Sequence, residues 1–346
     1  MVSQQSQRKN EHLSLAVKMW RDHNQPQNGA GFDQVRWQPN TLPELSVSQV
    51  DVSTNLLGTD LPWPFYIEAM TGGSDQGGRY NQQLAQAAKI TGLAMAVGSQ
   101  SIALKDASQR ASFEVVRQEN PYGFIMANLG ADHSLANLKV AVDMIGANAI
   151  EIHVNVAQEL SMVEGDRDFH WQDNLANLIA HSPVPVVIKE VGFGMSRRSL
   201  TQLDDLQPAA INVGGTNGTN FAEIEQARSH PSSATIDLSH YGFSVVESLL
   251  AAQAAQVRTP LIATGGISNP NQVITALMLG AQATSSAGYF LEILARQGQG
   301  ALIETIEQWQ AALPKLMTLL GARDIAALQR QVPILSTNLQ NFKAQL

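Results

Sequence analysis

The sequence predicts an α/β protein built as one closed TIM-type (β/α)8 barrel, on three observations. Short apolar runs alternate with longer helix-like stretches, the apolar runs number eight, and each is followed by glycine or polar residues. Alternating strand and helix signals imply a parallel sheet with right-handed crossovers, and eight repeats suit a closed barrel better than an open doubly wound sheet. The 346 residues admit two ordinary domains or one large barrel with additions, and are ample for a buried core. We read a single domain over 1–346, with an N-terminal extension at 1–60, the barrel at 61–300 and C-terminal helices at 301–346.

The extension carries turn signals at Pro26, Gly29, Gly31, Pro39, Pro43, Gly58, Pro62 and Pro64 and reads as an irregular entry to the barrel. The expected strands are Phe65–Ala69, Leu93–Val97, Gly123–Asn128, Ala149–Val154, Pro185–Lys189, Ala209–Val213, Pro260–Thr264 and Gln282–Ser286. They are short, and most are bounded by Gly, Pro, Asn or Ser, as buried parallel strands tend to be. Helical stretches between them include Tyr80–Ile90, Leu135–Ile145, Phe221–Ser229, Ser244–Gln256 and Asn271–Leu279. Ala234–Leu238 also has a strand's composition, but it falls in the long connection between the sixth and seventh strands and is read as an inserted loop. From Ala301 onward the apolar period is helical.

Composition excludes several functions. Without cysteine there is no disulfide framework, thiolate metal site or cysteine nucleophile. Lys plus Arg number 22 against 30 Asp plus Glu, a net charge of −8, with no basic stripe to hold nucleic acid. Residues Met1 to Glu11 are polar and show no secretory signal, and no apolar run approaches the roughly 18 residues of a membrane helix. A cytoplasmic enzyme is expected. Charged residues make up only 15%, against roughly a quarter in ordinary domains. This fits a neutral polar surface or extensive subunit contact, since interface cores are depleted in charge; a homo-oligomer is expected, a tetramer or octamer, although composition does not set the number of subunits.

In such a barrel the site lies at the carboxyl ends of the strands. The segments there are Met70-Thr71-Gly72-Gly73, Gly98-Ser99-Gln100-Ser101, Asn128-Leu129-Gly130, the group His153, Asn155, Gln158 and Glu159, Lys189-Glu190, Gly214 to Thr219, Gly265-Gly266-Ile267 and Ala287-Gly288. Glycines after the seventh and eighth strands let backbone N–H groups close on a phosphate, where a helix N-terminus adds a favourable field. Lys189 ends a strand of buried character, where a charge needs a partner. It reads as a Schiff-base nucleophile, as the partner of an anionic cofactor atom, or as an ion pair with Glu190 or another barrel carboxylate. Glu159 offers an oxygen ligand suited to Mg²⁺. Gln158 cannot titrate, so it orients or relays a proton. Arg8, Lys9 and His12 gather cationic groups suited to a polyanion.

Taken together, these residues resemble the type 2 isopentenyl-diphosphate isomerases, an FMN-dependent family, from Arg8 through about Leu291. The matching segments are Arg8-Lys9-Asn10-Glu11-His12, Met70-Thr71-Gly72-Gly73, Gly98-Ser99-Gln100, His153-x-Asn155-x-x-Gln158-Glu159 and Lys189 to Gly194. The resemblance implies that FMN is held by Ala69, Met70, Thr71, Ser99, Asn128, Lys189, Thr219, Gly265, Gly266, Ile267, Ala287 and Gly288. It assigns the diphosphate substrate to Arg8, Lys9, His12, Ser99, Gln100, Ser101, His153, Asn155 and Gln158, with Glu159 holding Mg²⁺. Gln158 and His153 become the catalytic residues, reduced FMN the working cofactor, and NADPH its reductant. Three positions depart from the family pattern: Asn212 stands for Asp, Asn217 for Gly, and Ser101 for the Arg of some members. The competing readings are a flavin oxidoreductase of the 2-hydroxy-acid oxidase or dihydroorotate dehydrogenase type, a Lys189 Schiff-base lyase, and a non-catalytic flavin sensor.

Overall fold

The computed structural model describes residues 10–11, 13–18, 20, 30–162, 165–228, 236, 238 and 240–346. Eight parallel strands close into a barrel: β1 (Phe65–Ile67), β2 (Met95–Ala96), β3 (Ile125–Gly130), β4 (Ala149–Val154), β5 (Val186–Glu190), β6 (Ala210–Asn212), β7 (Leu261–Thr264) and β8 (Ala283–Ser286). They follow in chain order around the ring, and β8 returns to β1 through Ser285 opposite Tyr66. Each expected strand is present in its expected place.

Alternate residues of a barrel strand point inward, and here the inward rows change character along the strand. Tyr66, Met126, Ala149, Val187, Ala210, Ile262 and Ala283 form one buried apolar cluster with Leu56 and Leu61. Two residues further along, the same rows carry Glu68, Asn128, Glu151, Lys189, Asn212, Thr264 and Ser285, all buried. The intervening residues, among them Ile67, Ile125, Ile150, Ile188 and Ile211, pack against the surrounding helices. Apolar floor and polar upper layer therefore share the same seven strands, all but β2.

A hairpin of Thr54–Leu56 and Thr59–Leu61 brings Leu56 and Leu61 to the apolar cluster; it turns through Leu57 and Gly58 at φ 54° and 78°. Its second strand carries the ordered extension past residue 60. Val35–Arg36 pairs antiparallel with Ile334–Leu335, clasping the extension to the C-terminal region. That region is helical at Gln299–Leu320, Ile325–Gln329 and Thr337–Ala344. Trp309 of the long helix rests on Phe65 with ring centroids 5.5 Å apart.

Local signals explain the helices. Ser74 caps Asp75–Thr91 by accepting from the Gly77 N–H at 3.0 Å, and Gly92 ends that helix at φ 71°. Ser244 and Glu247 form a reciprocal capping box at Val245–Ala255, and Asn269 with Pro270 opens Pro270–Met278. Of Ala234–Leu238, only Ile236 and Leu238 are described, without regular structure; the other three lie outside the described residues.

Candidate active site

The densest polar group is built where β4 runs out. Asn155 follows the strand and opens the short helix Val156–Ser161, which carries Gln158 and Glu159 back over it. The Asn155 amide donates to Gln158 Oε1 at 3.2 Å and Glu159 Oε1 at 2.8 Å. Glu159 Oε2 accepts from the Asp166 N–H at 2.9 Å. Gln158 Nε2 donates to Glu225 Oε1 at 3.3 Å, and Glu225 is 2% exposed. Sequence reasoning missed Glu225 because its helix, Phe221–Arg228, reads as ordinary and amphipathic; only the fold brings it under the β4 loop.

These groups face a cavity of about 300 Å³. Among the expected site residues, Ala69, Met70, Ser99, Ser101, Asn128, His153, Asn155, Gln158, Glu159 and Lys189 line it. Gln100 does not. Its side chain is fully buried beneath, donating to the Ala141 carbonyl at 2.9 Å and accepting from the Asn128 N–H at 3.1 Å. It therefore fixes the β2 and β3 ends rather than offering its amide to the cavity. Thr71 likewise spends its hydroxyl inside the fold, on Asn81. Arg8, Lys9 and His12 lie outside the described residues.

The cavity floor is the polar layer of the barrel. Lys189 points inward, with Nζ 3.9 Å from Glu68 Oε1 and donating to the Glu190 carbonyl oxygen at 3.2 Å. Its carboxylate partner is thus Glu68, because strand alternation sends the Glu190 side chain the other way. Glu190 Oε2 accepts from the Phe193 and Gly194 N–H groups at 2.6 and 3.1 Å. Burial outweighs these donors and raises its pKa to about 8.

Glu68 is ringed by donors. Oε2 accepts from Asn212 at 2.9 Å, Thr264 at 3.1 Å, Ser285 at 2.5 Å and Tyr66 at 3.2 Å, while Oε1 accepts from the Ala69 N–H at 2.8 Å. Burial acts to raise its pKa, but the charge of Lys189 and these hydrogen bonds prevail and hold it below the usual carboxylate range. Glu151 meets the Tyr66 hydroxyl at 3.0 Å and Asn128 Nδ2 at 3.1 Å, and shares a hydrogen bond with the Glu68 carboxyl. Burial, then the nearby charge of Glu68, push it well above that range. Asn128 Oδ1 in turn meets His153 Nδ1 at 2.9 Å. Glu68 and Glu151 were missed because their strands were read as continuous apolar runs; the inward period of two, from Tyr66 to Glu68 and from Ala149 to Glu151, marks them.

On the opposite wall, Ser99 and Ser101 are 2.9 Å apart and Ser101 meets His133 Nε2 at 2.7 Å. Burial holds His133 below the ordinary histidine value. Lys105, one turn beyond Ser101 on the helix Ser101–Lys105, also lines the cavity.

Comparisons with known proteins show the family and the fold. A family model described as FMN-dependent dehydrogenase matches residues 131–334. The isopentenyl-diphosphate delta-isomerase of Lactococcus lactis is 48% identical over 338 residues, covering 98% of this chain and 96% of its own. That of Limosilactobacillus reuteri is 46% identical over 347 residues, covering 100% and 99%. The chain belongs to the isopentenyl-diphosphate delta-isomerases, within the FMN-dependent dehydrogenase family. Solved structures share its fold at low identity. A flavocytochrome b2 variant with pyruvate bound superposes with a TM-score of 0.70 at 18% identity, over 97% of this chain and 84% of that one. A mandelate oxidase variant with 2-hydroxy-phenylacetamide does so at 0.63 and 16%, over 94% and 98%.

Two departures from the isomerase pattern have a physical reading. Asn212 donates to Glu68, so in this barrel the carboxylate beside Lys189 comes from β1. Asn217 sits at φ 71°, a left-handed conformation that asparagine tolerates better than most residues, which is why it can stand in a glycine position.

The phosphate end of a flavin fits the glycine loops. A Cβ on Gly265 (φ 125°) would lie 2.2 Å from the Gly215 carbonyl, and one on Gly266 2.8 Å from that of Asn217. One on Gly288 would lie 2.8 Å from Thr219 Oγ1. The loops after β6 and β7 thus meet backbone to backbone, and the third packs its glycine on the Thr219 and Trp20 side chains at the start of the helix Gly288–Gln297, whose N-terminus has no side-chain cap. This is a cradle suited to an anion. The Thr219 hydroxyl, 3.8 Å from Met70 Sδ, connects it to the cavity. Among the described residues no three His, Asp or Glu side chains converge as a metal site, and no helix is long and apolar enough to cross a membrane.

Proposed function

We propose that this protein interconverts isopentenyl diphosphate and dimethylallyl diphosphate by adding a proton at one alkene carbon and removing one at another, with reduced FMN as its cofactor. The observation that carries this reading is Gln158, a non-titrating amide. It is held between Asn155 and buried Glu225, in a cavity walled by His153 and Lys189 and joined to a glycine cradle. FMN, when bound and reduced, supplies an electron-rich ring and an exchangeable proton.

The chain's own residues supply position and field. Lys189, fixed by Glu68 and the Glu190 carbonyl, presents a cation from the floor and favours an anionic flavin. Gln158 passes a proton between the cavity and the Glu225 carboxyl without itself changing charge. His153 and Asn155 hold the substrate over the floor. Glu159 holds Mg²⁺ together with the diphosphate, since Mg²⁺ takes one or two carboxylates plus phosphates and keeps its remaining waters. Ser99 and Ser101 donate to the diphosphate, joined by the cations of Arg8 and Lys9 and by His12. Net redox change is zero, so NADPH serves only to reduce the flavin. In this reading the protein is a cytoplasmic homo-oligomer, a tetramer or octamer; the low charge of the chain, 15% of residues, supports subunit contact alone.

The test is turnover against flavin state. Activity is expected only after FMN is reduced, and thereafter without stoichiometric NADPH consumption. Consumption that matches product formation would instead support the oxidoreductase reading favoured by the shared fold with mandelate oxidase. A colourless preparation that stays inert when FMN is supplied would refute both.

A further inference from the structure

The buried polar layer holds two carboxyl groups, Glu68 and Glu151, 2% and 0% exposed, and one ammonium, that of Lys189. Tyr66 and His153 are the other titratable groups of the layer. We propose that Glu151 keeps a proton and, through Asn128, acts as a positioning residue that fixes the tautomer of His153.

Donor counting leads there. Glu68 accepts from Asn212, Thr264, Ser285 and the Ala69 N–H and lies nearest Lys189, which is the environment of an ionised carboxylate. Glu151 has three hydrogen-bond partners, Asn128, Tyr66 and the Glu68 carboxyl; Tyr66 has a single proton to give, and an ionised Glu68 has none. Ionising Glu151 as well would leave two anions against one cation in a buried core. A proton on Glu151 Oε1, 3.0 Å from the Tyr66 oxygen, resolves this. Glu151 then donates to Tyr66, and Tyr66 donates to Glu68 Oε2 at 3.2 Å. The layer becomes neutral, with a direction along its hydrogen bonds.

That direction reaches the cavity. Glu151 Oε2, the carbonyl oxygen of the neutral acid, accepts from Asn128 Nδ2 at 3.1 Å, which turns Asn128 Oδ1 toward His153 Nδ1 at 2.9 Å. An oxygen there requires Nδ1 to carry hydrogen. Nε2 is then the lone-pair nitrogen of a ring that lines the cavity, able to accept a proton or hydrogen bond there. The functional consequence rests on the isomerase reading; the spectroscopic test does not.

The test uses the FMN-loaded enzyme at pH 7 without substrate. In ¹⁵N-histidine NMR, with His153 assigned by its loss in His153→Gln, Nδ1 is expected to be protonated in the wild type. Glu151→Gln reproduces the neutral acid, donating to Tyr66 and accepting from Asn128, so it is expected to keep the same tautomer. In infrared difference spectra that variant is expected to lose one un-ionised carboxyl band, separate from that of Glu190. An Nε2-protonated His153 in the wild type would overturn the proposal without any variant being needed. So would a tautomer that changes in Glu151→Gln, or a set of carboxyl bands that the substitution leaves intact.

Discussion

Removing the Lys189 ammonium tests whether Glu68 is its partner. The two groups are 3.9 Å apart with side chains 9% and 1% exposed. At an effective dielectric of about 20, their attraction over that distance is about 4 kcal/mol. Lys189→Met strands a buried carboxylate and should cost about 3–5 kcal/mol. Glu68→Gln should cost less, because Glu151 can then release its proton and become the counter-ion. The double variant should cost less than the two single costs combined, by about 2–4 kcal/mol. Urea unfolding followed by tryptophan fluorescence, with unchanged m values, measures each corner of the cycle. The sign with pH is fixed by the lowered pKa of Glu68. The coupling should be present above an unfolded-state value of about 4.3 and be lost as pH falls through the lower folded value. Single costs that add within about 0.5 kcal/mol at pH 7 would show that the pair is not coupled.

Glu159→Gln should lower activity and its response to Mg²⁺ together; an unchanged Mg²⁺ titration would remove Glu159 as the ligand. Lys105→Ala should raise the substrate KM about tenfold with little change in kcat, and Ser101→Arg in that background should recover most of the loss, since both positions serve the same cavity wall. Equal KM values in all three proteins would exclude Lys105 from diphosphate binding. Glu190 has a pKa of about 8 when folded and about 4.3 when unfolded, so stability should fall as pH rises across that window. Glu190→Gln keeps one oxygen for the Phe193 and Gly194 N–H groups and should flatten the change in Tm between about pH 6 and 8; the same slope in both proteins would argue against a protonated Glu190.

The barrel was legible because buried parallel strands are short apolar runs closed by glycine or polar residues, and most of the eight satisfied that description, the last, Ala283-Thr284-Ser285-Ser286, being mostly polar. Residues at the strand ends, such as His153, Asn155 and Lys189, were legible for the same reason: topology puts strand ends at the mouth. Gln100 misled because a position at a strand end does not say which way a side chain turns, and here the amide is used to join β2, β3 and the helix Leu135–Ile145. Glu68 and Glu151 were hidden by a run-based reading, although their offset of two from an inward apolar residue was present in the sequence. Glu225, His133 and Lys105 could not be read at all, since they arrive from helices and loops through tertiary packing.

The clasp between Val35–Arg36 and Ile334–Leu335, reinforced by the Ser336 N–H donating to the Gln34 carbonyl at 2.8 Å, has a consequence for biosynthesis. On a ribosome the partner of Val35 emerges only after β8, so this pairing forms last, after Trp37 Nε1 can already donate to Thr275 Oγ1 at 3.0 Å. A nascent chain stalled after β8 would carry a closed ring whose extension is held by Trp37 and Thr54 but lacks its two-stranded clasp.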